Sequence, residues 1–213
     1  MANSAAYELE PQKKSVQASE RDQAARQEWI AQTQQIDARR LVFVDESGSH
    51  TSMTQLYGWA PQKERAVASV PKNRGQNTTI LGALSWSGMQ AAMTLEGAAD
   101  RLAFEAFVEY VLCPTLQSGQ IVIMDNLSIH KSAKARNLIE GGGCQLWFLP
   151  TYSPDLNPIE PAWSKLKAHL RRVGARTKEA LQEAIARGLL LLSHRDAQAW
   201  FKNCGYLPSG QLL

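Results

Sequence analysis

Long apolar runs are missing from this sequence: none approaches the roughly 20 residues that a membrane-spanning helix requires. The opening stretch, MANSAAYELEPQKKS, lacks the apolar centre of a secretory signal, so the chain is expected to stay in the cytoplasm. Cysteine is scarce. Cys113, Cys144 and Cys204 are odd in number, scattered and in no C-x-x-C pattern, which argues against both a disulfide framework and a zinc site. Excess charge is also small, with 23 Lys and Arg against 20 Asp and Glu for a net +3, so only the distribution of charge is informative. No internal repeat and no long low-complexity tract is present. What remains is a chain of 213 residues, 44% of them hydrophobic, which fits one α/β domain with short terminal segments.

Residues 1–39 are set apart by Gln, Ala, Glu, Lys and Arg. A surface helix is predicted over 20–35, with Trp29 and Ile30 as its docking residues. From residue 40 the texture changes. LVFVDE (41–46) reads as a buried strand, and the runs 77–86 and 89–96 read as a hairpin turning at Ser87-Gly88. Asp100 caps a helix over 101–113. IVIMDN (121–126) and CQLWFLP (144–150) are two further strands, with a short helix over 132–140 between them. Asn157-Pro158 opens a helix to Val173, Thr177 opens another to Leu192, and a last one runs over 196–202. Early antiparallel strands followed by strand–helix–strand units predict a mixed sheet with helices on its faces. The domain is set at 40–206, with 207–213 as a tail.

Three acids fall where such a sheet brings distant residues together. Asp45 and Asp125 each end a strand, and Glu160 lies in the first turn of the helix after the last strand. At about 100° per residue, Ile159, Trp163, Leu166, Leu170 and Val173 form one apolar stripe, with Glu160 at its edge. Lys167 and Arg171 fall in line with Glu160, while Lys165 and Arg172 point to solvent. Clustered carboxylates repel one another unless divalent cations neutralise them, and oxygen-only ligation suits Mg²⁺. The same residues also support a plainer reading: Asn157, Pro158 and Glu160 form a helix-capping sequence, and Asp45 and Asp125 are turn acids. Spacing alone leaves both open.

The wording around the acids is more specific. LVFVDESG (41–48), YGWAP (57–61), IVIMDNLSIHKS (121–132) and LWFLPTYSPDLNPIEPAWSKLK (146–167) resemble the successive landmarks of mariner-like DDE transposases, nearest the bacterial insertion-sequence branch. The likeness runs from about Lys13 to Tyr206. It implies a ribonuclease-H-like fold, a mixed five-stranded sheet with helices on both faces. It also implies that Asp45, Asp125 and Glu160 are the catalytic, metal-binding acids, holding two Mg²⁺ ions that Mn²⁺ can replace. The 34 residues between Asp125 and Glu160 are similar to the family's own separation. The implied reaction is cleavage at transposon ends followed by attack of the freed 3′-hydroxyl on target DNA, within a homodimer and without a covalent protein–DNA intermediate. A nucleoid-associated location in a prokaryote would follow. One departure concerns residues 1–39, too few to hold the family's helix-turn-helix region. They read as its remnant, Pro11 to Ser15 as its tail, and two readings stay open: a companion reading frame supplies the rest, or this copy is a truncated relic. Two alternatives remain at this point: a catalytically silent, transposase-derived DNA-binding or inhibitory protein, and another ribonuclease-H-like nuclease.

Secondary candidates surround these acids. Between Lys165 and Lys178 there are six Lys or Arg and no acid, so Lys165, Lys167, Arg171 and Arg172 are candidate DNA contacts or a solvated face. Lys72 and Arg74 form a second basic pair. His130 is either a donor or proton shuttle at the scissile phosphate or loop filler. Asn126 orients Asp125 or a metal-bound water. Trp59 either stacks on a base or packs on the sheet.

Overall fold

In the computed structural model, residues 19–73, 75 and 77–210 are described. Helix α1 (Gln23–Thr33) leads into β1 (Leu41–Ser49), β2 (Thr78–Ser85) and β3 (Gly88–Glu96). Helix α2 (Arg101–Phe107), capped by Asp100 as expected, widens into a π turn over Val108–Leu112. Then follow β4 (Ile121–Met124), α3 (Ala133–Gly141), β5 (Gln145–Phe148), α4 (Ile159–Val173), α5 (Lys178–Leu190) and α6 (His194–Asn203).

The sheet order is β3-β2-β1-β4-β5, antiparallel through β3, β2 and β1 and parallel through β1, β4 and β5. Side-chain alternation gives the central strands two apolar faces. Leu41, Phe43, Ile121 and Ile123 face Trp29 of α1, Ile159, Trp163, Leu166 and Leu170 of α4, and Phe201 of α6. Val42, Val44, Val122 and Met124 face Phe104 and Phe107 of α2 and Ile139 of α3. Helices therefore cover both faces, as the sequence implied.

Register places the first two acids. Phe43 of β1 is the parallel partner of Ile123 of β4, so Asp45 and Asp125, each two residues further on, emerge at one level of the sheet. Both share the parity of the strand residues that face α4, the helix that begins beside Glu160.

Two packing expectations need correction. Ile30 is 38% exposed and does not dock α1; Trp29 does, donating its indole N–H to the buried Tyr206 hydroxyl at 2.9 Å. Val173 is 50% exposed because the apolar stripe of α4 leaves its packing partners before the final turn. Pro11 to Ser15 lie outside the described residues. Among the described residues, no helix is long and apolar enough to cross a membrane.

Candidate active site

A cleft of about 400 Å³ opens past the carboxyl end of β4 and beside the middle of β1, and Asp45, Asp125 and Glu160 all line it. Asp45 does not end its strand as expected, because the antiparallel pairing with β2 carries β1 on to Ser49. Its far wall is the loop Leu149–Pro154, and Asn126, Leu127 and Asn157 complete the rim.

Asp45 is 8% exposed. Its Oδ1 accepts from the Glu46 amide at 2.8 Å and its Oδ2 from the Trp163 indole N–H at 3.2 Å. Burial pushes its carboxyl up to about 7, and the nearby Glu160 and Asp125 charges push in the same direction. Gly82, directly across β2 from Asp45, makes room for the Trp163 ring: a Cβ there would lie 2.5 Å from its Cη2.

Asp125 behaves in the opposite way. Burial raises it, yet hydrogen bonds outweigh that and hold its carboxyl below the usual range. Its Oδ1 accepts from the Leu127 amide at 3.0 Å and lies 2.5 Å from His130 Nδ1, which must be the donor to an ionised carboxylate. His130 is fully buried, its ring 4.7 Å from that of Phe104. It stands behind Asp125 and not in the cleft, so contact with a phosphate is excluded by burial. The Asn126 side chain makes no hydrogen bond to Asp125. Its Nδ2 donates to the Leu149 carbonyl at 2.9 Å, tying the end of β4 to the cleft wall.

Glu160 is exposed in the first turn of α4. The capping reading fails here. Pro158 occupies the N-cap, no side chain caps the helix, and Asn157 Oδ1 is buried without a partner at the cleft rim. An orphaned oxygen beside three carboxylates, one with a raised pKa, is what a hydrated cation would satisfy. Among the described residues no three His, Cys, Asp or Glu side chains are gathered tightly enough to hold a metal by themselves. The acids share a cleft without closing on a point.

The cations divide. Lys165, exposed, is paired with Asp196 of α6 at 2.6 Å. Lys167 is half-buried, Arg172 is exposed, and Arg171 lines a second groove together with Lys72. Arg74 lies outside the described residues. Trp59 is fully exposed, which rules out the packing reading; it shares a third groove with Arg171, Arg172 and Arg176. Sequence reasoning missed the Trp163–Asp45 bond and the Asn157 orphan. Trp163 stands three residues after Glu160, on the neighbouring face of one helix turn, and that spacing was the available signal.

Comparison with known proteins bears on the family and the fold. Residues 40–182 match the family described as DDE superfamily endonuclease. The chain is 29% identical over 121 residues to the Tcb1 transposase of Caenorhabditis briggsae, covering 55% of this chain and 43% of that protein. It is 24% identical over 159 residues to the Tc1 transposase of Caenorhabditis elegans, covering 73% and 57%. The chain thus spans about half the length of these relatives. In fold it is similar to the Mos1 transposase in a paired-end complex with the left transposon end, with TM-score 0.70 and 15% identity over 94% of this chain and 64% of that one. The Mos1 catalytic domain solved with Raltegravir and Mg is also similar, with TM-score 0.60 and 14% identity over 85% and 86%. The fold is therefore ribonuclease-H-like, and the chain belongs to the DDE superfamily of endonucleases.

Proposed function

We propose that this chain is the catalytic part of a DDE transposase, cutting DNA at transposon ends and joining the freed 3′-hydroxyl to target DNA. One observation carries the reading: Asp45, Asp125 and Glu160, far apart in sequence, line a single open cleft. Solved relatives described with transposon ends and with Mg or Mn support the substrate and the metal.

Asp45, Asp125 and Glu160 would hold two Mg²⁺ ions, replaceable by Mn²⁺. When bound, such ions favour the attacking oxygen and stabilise the leaving one. The chain's own residues prepare for this. His130 and the Leu127 amide keep Asp125 ionised and fixed in orientation. Trp163 holds Asp45 at the level of Asp125. Lys167, Arg171, Arg172 and Lys72 would neutralise backbone phosphates. The active complex is taken to be a homodimer on DNA.

The test is nicking of supercoiled plasmid by the whole chain with Mg²⁺ or Mn²⁺. Asp125→Asn keeps the shape of the side chain and removes its charge. Nicking is expected to depend on the divalent ion and to fall at least ~100-fold in the variant, as loss of a group acting in the transition state does. Equal rates in the two proteins would remove Asp125 from the chemistry.

A further inference from the structure

Helix α1 lies outside residues 40–182 and has a mostly polar surface, so its expected part was that of a docked tail. Two arginines, Arg26 on α1 and Arg21 just ahead of it, do something more specific. Arg21 and Arg26, with side chains 11% and 10% exposed, converge on Asp155. Arg21 Nη2 lies 2.5 Å from Oδ1, and Arg26 forks onto both oxygens at 3.2 and 2.7 Å. At the next residue, Leu156, is the second half of the same lock: Trp29 donates to the Tyr206 hydroxyl, which donates to the Leu156 carbonyl at 2.7 Å. Two adjacent loop residues are thus gripped from α1, one directly and one through Tyr206.

That loop is the cleft wall. Leu149 to Pro154 line the site, and Tyr152 among them holds a left-handed backbone (φ 54°), a strain that persists only where surroundings enforce it. Downstream, the Asn157 amide bonds the Pro154 carbonyl and the Glu160 amide bonds the Asn157 carbonyl. The grip on Asp155 and Leu156 is therefore relayed within one short turn to the start of α4, where Glu160 stands. Withdrawing two guanidinium groups from water is costly without a well-placed carboxylate, and the forked geometry adds directional precision. A helix needing only to stick to the surface would gain more from apolar side chains.

We propose that Arg21 and Arg26 are positioning residues: acting through Asp155, they fix the 150–157 loop and with it the place of Glu160 opposite Asp45 and Asp125. The catalytic unit then begins at α1 and not at residue 40. The activity arm of this inference rests on the nuclease reading above, so its test includes measurements that do not.

The whole chain is compared with Asp155→Asn, Arg26→Gln and the double variant. Four quantities are followed: plasmid nicking, the Mn²⁺ concentration that half-saturates the protein (free Mn²⁺ read by electron paramagnetic resonance), amide exchange of 150–157, and the melting temperature. Asp155→Asn is expected to slow nicking ~10-fold or more, as small misplacements of reacting groups do. It should also raise the half-saturating Mn²⁺ and speed exchange of the loop while amides of β1 and β4 stay protected. Arg26→Gln should act in the same direction, and the double variant should be no worse than Asp155→Asn, the signature of one shared path. Arg26→Lys, which keeps the charge and loses the fork, serves if the stronger variants fail to fold. Unchanged loop exchange and Mn²⁺ saturation in folded variants would overturn the proposal. So would losses that appear only as the protein melts. If the wild-type chain itself does not nick, the nuclease reading fails, and loop exchange with Mn²⁺ saturation still decides the strap.

Discussion

Asp45 and Asp125 are chemically alike and a few side chains apart, yet their surroundings drive them in opposite directions. Asp125 gains donors from His130 and Leu127. Asp45 is buried beside two like charges and is raised from 3.8 to about 7. The folded protein therefore keeps a proton that the unfolded chain releases near 4. This group's contribution is harmless below that pH, turns unfavourable as pH rises from about 4 to about 7, and stays unfavourable above it. A gap of that size corresponds to at most about 4 kcal/mol. In metal-free protein, Asp45→Asn is expected to raise the melting temperature at pH 8 and to leave it nearly unchanged at pH 4. Saturating Mg²⁺ should produce a similar gain in the wild type. A difference between the two proteins that did not grow with pH would contradict the burial account. Asp125 and Glu160 stand where the sequence expects them, just past a strand and in the first turn of a helix, whereas Asp45 lies mid-strand because β1 runs on to Ser49. The burial of His130 was not legible in the sequence, since no periodicity in a strand-end loop says which side chain folds underneath.

Elements, more than single contacts, bring the acids together. Strands β1 and β4 run parallel in register, so equal distances along each put Asp45 and Asp125 at one height. Trp163 of α4 then lies over Gly82 of β2, the register partner of Asp45, where the missing side chain lets the indole reach the carboxylate. Gly82→Ala is expected to push that ring aside, at a cost of about 1–3 kcal/mol in stability from overpacking. Nicking should fall beyond what the lost stability explains, because Asp45 loses its donor. Comparing rates well below the melting transition checks this. The sequence revealed these elements through apolar runs and caps: Asp100 and Thr177 each accept the expected amide bond, and Ser132, expected inside its helix, caps it instead. It failed at Asn157, whose side chain turns into the cleft instead of over the helix start. It was also silent on residues 50–77, where the chain has few apolar residues and follows no repeating period.

At the scale of the whole molecule, charge is arranged and not merely present in excess. With a net charge of only +3, the proposed affinity for DNA rests on placement. Arg171 borders two grooves and shares one with Lys72, whereas Lys165 is already paired with Asp196. Replacing Arg171 by Ala is expected to reduce the slope of log affinity against log salt by about 1, and replacing Lys165 to reduce it far less. Equal slopes for the two variants would show that the ion pair does not set which cations meet phosphate. The account as a whole depends on three carboxylates sharing metal ions. Crystals grown with Mn²⁺ and measured for anomalous scattering test that most directly. Two manganese peaks bounded by Asp45, Asp125 and Glu160, with one or both lost in Asp125→Asn, is the expected result. Manganese bound elsewhere, or none in this cleft at saturating concentration, would contradict it.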